Sequence, residues 1–322
     1  ALCLGRGHYR LDGSPRMRQR PIQELVDGLG QLGATLRCEA DGGTPPVVVE
    51  ADGLAGGATA LSAERSSQFL SAILQVAPYA RRDVTVTLRG TLIAAPYVDM
   101  TIAVMAAFGA AVERAGAATF RIACGQRYRA RHYAIEPDAS SAHYFWAAAA
   151  LTGGRVQVRG LGRGSLQGDV QFAAVLEQMG AAVRWAPDSI EVRGPAQLGG
   201  VDVDMNAISD TAPTLAAIAP FASAPVRIRN VAHLRWQESD RLRAVATELT
   251  RLGVQVEELD DGLVVHPAAQ IRPADVQTYD DHRIAMAFAL VGLKAPGVRI
   301  CDPACTAKTF PDFFARLEGL RT

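Results

Sequence analysis

An internal repeat constrains this chain more than any other feature. A Gly-apolar-x-apolar signature recurs at Gly33-Ala34-Thr35-Leu36, Gly109-Ala110-Ala111-Val112, Gly180-Ala181-Ala182-Val183 and Gly253-Val254-Gln255-Val256, roughly 70 to 76 residues apart. Self-similarity at a fixed period marks stacked supersecondary units, none of which buries its apolar faces alone. An amphipathic helix pattern precedes each signature, as at Val170, Phe172, Val175, Leu176 and Met179. The glycine then reads as a helix stop. A short β-prone run follows each one: Val47-Val48-Val49, Phe120-Arg121-Ile122, Ile190-Glu191-Val192 and Leu263-Val264-Val265.

A second landmark keeps step with the first. Ser66-Ser67-Gln68, Ser140-Ser141, Asp210-Thr211 and Asp281-His282 each open an apolar helix pattern, and a β-rich run such as Val84–Leu88 or Val226-Arg227-Ile228 comes after it. Ser, Thr and Asp at such starts are natural N-caps. The repeats change hands near Glu136-Pro137-Asp138. Two domains are therefore expected, 1–136 with about two units and 137–322 with three. The apolar opening, Ala1 to Gly5, reads as the tail of an element already under way, with a further unit expected upstream.

Charge narrows the partners. The chain has 33 basic and 33 acidic residues, so its formal net charge is zero. A general nucleic-acid or membrane-surface binder is not expected from that balance, and any anion site must be built locally. The longest apolar run, Tyr144 to Thr152, is too short to span a bilayer. No basic-then-apolar leader opens the chain. Five scattered cysteines suit reduced thiols in a cytoplasmic setting, and no His or Cys stands near Cys301 and Cys305 to complete a zinc set.

Local charge is concentrated in three segments: Gln237-Glu238-Ser239-Asp240-Arg241, Tyr279-Asp280-Asp281-His282-Arg283, and Cys305-Thr306-Ala307-Lys308-Thr309-Phe310-Pro311-Asp312. Carboxylates, guanidiniums and an ammonium beside buried helices equip a site to bind a small, highly charged anion and to move protons on it.

In order along the chain, Pro15-Arg16-Met17, Arg20-Pro21, Ser66-Ser67-Gln68-Phe69-Leu70, Pro96-Tyr97, Asp138–Ala142, Asp210, Glu238–Arg241, Asp281-His282-Arg283 and Lys308–Asp312 resemble the enolpyruvyl transferase family, in its 5-enolpyruvylshikimate-3-phosphate synthase branch. The resemblance runs over the whole chain. It implies an α/β fold of two globular domains built of repeated βαβαββ units, like an inverse α/β barrel, with the active site in the cleft between them. It also implies that the N-terminal repeat is incomplete and that about the first hundred family residues are lacking. The implied reaction joins phosphoenolpyruvate to the 5-hydroxyl of shikimate 3-phosphate and releases phosphate, a step of aromatic amino-acid biosynthesis. By the same resemblance it needs no metal and no organic cofactor, and the enzyme is a cytoplasmic monomer.

The site residues carry over one by one. Arg16, Arg241, Arg283 and Lys308 resemble the phosphoenolpyruvate set, and a guanidinium suits carboxylate and phosphate through its bidentate fork. Ser66 and Ser67, at a helix start whose free N–H groups favour an anion, resemble contacts to the shikimate phosphate, with Gln68 bridging towards the ring. Asp210 resembles the acceptor of the 5-hydroxyl proton, and Glu238 the group that serves the enol methylene. Their other reading is plain helix capping. Tyr97 lines the shikimate pocket in this reading. Asp281 orients Arg283 or caps its helix, and His282 is structural.

Three positions depart from the family pattern. Gln237 stands where the family usually has Lys, and an amide carries no charge. Losing one charge-assisted hydrogen bond costs about 1.5–3 kcal/mol. Ala94 replaces a Ser, and His233 an Asn; His233 and Gln237 are still counted among the substrate-binding positions by the resemblance. These departures keep two alternatives in view: an enolpyruvyl transferase acting on another acceptor, and an inactive fragment or pseudoenzyme that binds anions.

Overall fold

Each of the four repeated glycines ends a helix in the left-handed region of backbone space: φ is +87° at Gly33, +90° at Gly109, +98° at Gly180 and +83° at Gly253. A side chain is disfavoured there, so the residue type follows from the backbone turn. The computed structural model describes residues 1–320. Its helices are α1 (Gln23–Gln31), α2 (Gln68–Val76), α3 (Ala95–Ala107), α4 (Ala139–Thr152), α5 (Phe172–Gln178), α6 (Ala212–Ile218), α7 (Arg241–Arg251), α8 (His282–Val291) and α9 (Phe313–Glu318). The glycines close α1, α3, α5 and α7.

The chain divides into two compact units, Ala1–Ala134 and the remainder from Ile135. Glu136 accepts hydrogen bonds from the Ser165 hydroxyl (2.6 Å) and the Leu166 amide (2.9 Å), both within the second unit. The last two residues of the domain expected over 137–322 lie outside those described.

The first unit holds two sheets. One is antiparallel, with Val47–Asp52 between Arg6–Leu11 and Thr35–Cys38. The other starts with Gly57–Ser62 parallel to Val84–Arg89, joined through α2, and continues with Thr119–Ile122 and Glu113–Arg114. The second unit repeats both plans. Ser189–Arg193 lies between Arg155–Arg159 and Ala182–Trp185. Val201–Asp204 runs parallel to Val226–Arg229 through α6, followed by Gly262–Val265 and Val256–Leu259. Asp275–Val276 and Arg299–Ile300 form a third parallel pair across α8.

The core of the second unit fixes the position of the site. Helices α4, α6 and α8 pack on one another. Every residue of α6 is buried, as are eight of the ten in α8. Helices apolar on all sides must bury all sides, which leaves charged residues only at their ends. Asp281 caps α8 by accepting from the Arg283 amide at 3.0 Å, and Asp240 caps α7 by accepting from Arg243 at the same distance.

Two capping expectations are corrected. Helix α4 is capped by Asp138, which accepts from the Ser140 amide, so the serines lie inside the helix. Before α6, Thr211 turns its hydroxyl back onto the Ile208 carbonyl at 2.8 Å, and Asp210 is engaged by arginines instead.

Candidate active site

Helix starts bring the charges of the second unit together. Arg241 is the first residue of α7, Arg283 the second of α8, and Asp210 stands two residues before α6. Glu238 lies between the 3₁₀ turn Ala232–Trp236 and α7, and Lys308 ends the 3₁₀ turn Pro303–Lys308, which packs on α8.

Arg241 is the hub. It is 1% exposed and donates from three nitrogens: Nε to Asp281 Oδ2 (2.9 Å), Nη1 to Asp210 Oδ1 (3.1 Å) and Nη2 to Glu238 Oε2 (2.6 Å). Arg283 Nη2 donates to the other oxygen of Asp210 at 2.8 Å. Lys308 Nζ donates to the other oxygen of Glu238 at 2.7 Å. The Ser239 hydroxyl completes Asp281, donating to Oδ2 at 2.9 Å. Three carboxylates thus face three cations in one connected, neutral cluster. Dehydrating a guanidinium costs several kcal/mol, and only dense pairing offsets that.

The electrostatics follow from this geometry. Burial alone pushes the Glu238 carboxyl up, but Arg241 and Lys308 outweigh it and hold the group well below the usual carboxylate range. Asp281 behaves alike: burial raises it, and Arg241 brings it down on balance. Burial lowers the Arg241 guanidinium, but Asp281 and Asp210 reverse that. Three imidazoles near the cluster are kept neutral, chiefly by burial: His143 pushed down to about 3, His282 to about 4, and His233 lowered. His233 Nε2 and the Ser209 hydroxyl stand 2.8 Å apart, one residue before Asp210. Burial also lifts the Tyr144 phenol to about 12, against Arg283 and Arg241.

Solvent access separates the cations. The side chain of Lys308 is 55% exposed and that of Arg283 13%, against 1% for Arg241. Lys308 and Arg283 are therefore the cations of the cluster that solvent reaches. Gln237, half-buried, adds an uncharged amide beside Glu238.

The remaining expected residues belong to the first unit. Ser66 Oγ accepts from the Gln68 amide at 3.2 Å, Ser67 is the buried N-cap residue of α2, and exposed Gln68 opens that helix. Half-buried Tyr97 sits in the first turn of α3, where its carbonyl accepts from the Thr101 hydroxyl. A Ser71–Thr101 hydrogen bond of 2.9 Å ties the two helices together. Ala94, where a Ser was expected, adopts φ +47° just before α3. Arg16 precedes the short turn Met17–Gln19 and donates to Gln19 Oε1 at 3.1 Å.

Ser239 is the member of the cluster that had no expected role, and Asp281 was expected only to orient Arg283 or to cap its helix. Asp281 caps α8 as expected, but its side chain holds Arg241 rather than Arg283. Both stand inside the two charged segments already singled out, and that proximity was the available signal.

The comparisons with known proteins agree with one another. The family model described as EPSP synthase (3-phosphoshikimate 1-carboxyvinyltransferase) matches residues 1–317. A 3-phosphoshikimate 1-carboxyvinyltransferase of Nostoc punctiforme is 54% identical over 315 residues, covering 98% of this chain and 74% of that protein. One of Shewanella baltica is 48% identical over 322 residues, covering 100% of this chain and 75% of that protein. Among solved structures, an EPSP synthase from Acinetobacter baumannii superposes with a TM-score of 0.79 at 25% identity, over 99% of this chain and 74% of that one. The enolpyruvyl transferase NikO from Streptomyces tendae does so with a TM-score of 0.72 at 22% identity, over 98% and 73%, and speaks to the fold alone. The α/β enolpyruvyl transferase fold implied by the sequence is the fold of this chain.

Proposed function

The chain belongs to the EPSP synthase family, and on that premise we propose that the cluster around Arg241 works its reaction. That reaction transfers the enolpyruvyl group of phosphoenolpyruvate to the 5-hydroxyl of shikimate 3-phosphate and releases phosphate. The observation that carries the proposal is the meeting of Asp210 and Glu238 on one buried guanidinium, each with a second cation of its own.

Phosphoenolpyruvate is multiply anionic, and so is shikimate 3-phosphate, so the two repel unless cations lie between them. Arg283 and Lys308 are the reachable donors, and we assign them the direct contacts, with Arg241 anchoring both carboxylates beneath. Arg16 joins the phosphoenolpyruvate set. Ser66, Ser67, Gln68 and Tyr97 take shikimate 3-phosphate at the starts of α2 and α3, where the helix dipole favours an anion. His233 holds the Ser209–Asp210 segment in place.

Anion binding then changes the carboxylates. In the substrate-free chain Glu238 is ionised and has no proton to give. A phosphate or carboxylate that takes Lys308 and Arg283 weakens the fields holding Glu238 and Asp210, so both become better proton acceptors. Asp210 takes the proton of the attacking 5-hydroxyl. Once the bound anion has drawn Lys308 away, Glu238 picks up a proton from solvent and delivers it to the methylene, which becomes the methyl group of the tetrahedral adduct; it takes a proton back from that methyl as phosphate leaves. This division of labour needs the two carboxylates in different surroundings, and only Glu238 has an ammonium partner. We take the working enzyme to be a cytoplasmic monomer; among the described residues no helix is long and apolar enough to cross a membrane.

Phosphate release by the purified chain tests the proposal. It should require both substrates and should fall by about 10²–10⁴ in Asp210→Asn and in Glu238→Gln. Binding of both anions without any phosphate release would favour the inactive, anion-binding reading instead.

A further inference from the structure

Away from the cluster, one buried carboxylate has no part in the chemistry above. Glu248, towards the C-terminal end of α7, is 0% exposed. It is satisfied from three sides: the Tyr279 hydroxyl donates to Oε1 at 2.6 Å, the Gln277 backbone N–H to Oε2 at 3.1 Å, and Arg251 Nε stands 3.0 Å from Oε2. A carboxylate is kept out of water only with such partners, so their arrangement asks for a reason.

Glu248 follows Arg241 by seven residues, close to two helical turns, so the two side chains share one side of α7. Arg241 holds Asp281 at 2.9 Å, while Glu248 holds Gln277 and Tyr279. The helix therefore grips the segment 277–281 at both ends. Between the grips lies a tight turn closed by the Asp281 amide donating to the Thr278 carbonyl at 2.9 Å. Its two central residues, Tyr279 and Asp280, have φ of +57° and +55°. Two successive positive φ values are the signature of a type I′ turn, which prefers Asn and Gly. A Tyr-Asp pair holds that shape only where the surroundings impose it.

We propose that Glu248 and Tyr279 form a positioning clamp for the anion site. The clamp imposes the left-handed turn, and the turn aims the Asp281 carboxylate at Arg241. It also sets the start of α8, from which Arg283 reaches Asp210. This rests on the reading of the Arg241 cluster as the substrate site, but the turn geometry can be tested without substrate.

The test compares the wild-type chain with Tyr279→Phe, Glu248→Gln and the double variant Tyr279→Phe/Asp280→Gly. Crystal structures, steady-state kinetics and calorimetric titration with phosphoenolpyruvate are the readouts. Tyr279→Phe should remain folded, withdraw Asp281 from Arg241, and weaken phosphoenolpyruvate binding by roughly tenfold, the scale of one hydrogen bond to a charged group. Glu248→Gln should act in the same direction. Glycine adopts positive φ without strain, so Asp280→Gly should restore the turn, the Arg241–Asp281 contact and most of the affinity without the hydroxyl. An unchanged turn and unchanged affinity in Tyr279→Phe would overturn the clamp. So would a loss that tracks the melting temperature and is not rescued by glycine. If the wild type shows no turnover, the reaction assignment fails, but the structures of the variants still decide the clamp.

Discussion

Arg241 Nε donates to Asp281 Oδ2 over 2.9 Å, with one side chain 1% exposed and the other 0%. This pair lies beneath the accessible part of the cluster. Asp281 also receives the Ser239 hydroxyl and the Arg283 amide. Its lone pairs are thus satisfied by fixed donors, and Arg241, whose Nη2 also reaches Asp281 Oδ1 at 3.3 Å, spreads its two terminal nitrogens over Asp210 and Glu238. The arrangement is layered: a buried pair sets the geometry beneath the more exposed Lys308 and Arg283.

Removing the charge of Asp281 should therefore cost stability as well as activity. Breaking a buried pair from one side leaves the other charge uncompensated, at about 3–5 kcal/mol. Asp281→Asn should fall at the lower end, about 3 kcal/mol, because Asp210 and Glu238 still face Arg241 and Asn can keep the helix cap. Chemical denaturation followed by circular dichroism measures it. A loss below about 0.5 kcal/mol, the scale of an ordinary surface substitution, would show that the pair contributes little.

Lys308 should behave in the opposite way. Its side chain is 55% exposed, and ion pairs of that kind contribute about 0–1 kcal/mol. Lys308→Gln should leave the melting temperature nearly unchanged. It should raise the KM for phosphoenolpyruvate by at least roughly tenfold, the loss of a charge-assisted contact. Stability and KM measured on one preparation separate the two effects, and a KM within twofold of wild type would remove Lys308 from the binding set.

The contrast between these residues also shows what the sequence could and could not reveal. The glycines at 33, 109, 180 and 253 were legible because a positive φ after a helix is a local demand that one residue type meets readily. Buried helices such as α6 and α8 were legible as unbroken apolar runs. The wiring of the charges was not. Asp281 stands two residues before Arg283 and was expected to orient it or to cap its helix; it does cap the helix, accepting from the Arg283 amide. Its side-chain partner came from α7, 40 residues away in sequence. Asp210 could equally have been a cap, and only the packing of α6 against α7 and α8 brought two arginines to it. Ser140 looked like a cap as well, but Asp138 fills that role.

Glu238 gives the cluster a dependence on pH. Its folded carboxyl lies below the ordinary value of 4.5. A depressed carboxyl contributes stability that is fully present above the unfolded-state pKa and is lost as pH falls through the folded one. The advantage of wild type over Glu238→Gln should thus be constant from neutral pH down to about 5 and shrink steadily in more acidic solution. Paired denaturation curves across that range test this. An advantage that grew on acidification would mean that Glu238 is not held ionised by Arg241 and Lys308.

Gln237 offers the sharpest functional test, because it adds a group instead of removing one. The amide stands next to Glu238, with Lys308 2.7 Å from that carboxylate and Arg241 2.6 Å away. An ammonium at this position would give the anion a further cation without touching the buried Arg241–Asp281 pair. A charge-assisted hydrogen bond is worth about 1.5–3 kcal/mol, which corresponds to roughly ten- to hundredfold in affinity or rate. Gln237→Lys should therefore raise kcat/KM for phosphoenolpyruvate within that range, measured by phosphate release at saturating shikimate 3-phosphate. The gain should shrink as ionic strength rises, because an accessible cation is screened by salt. If the variant gained nothing at low salt, position 237 would not face the bound anion, and the uncharged residue there would have to be explained without the substrate.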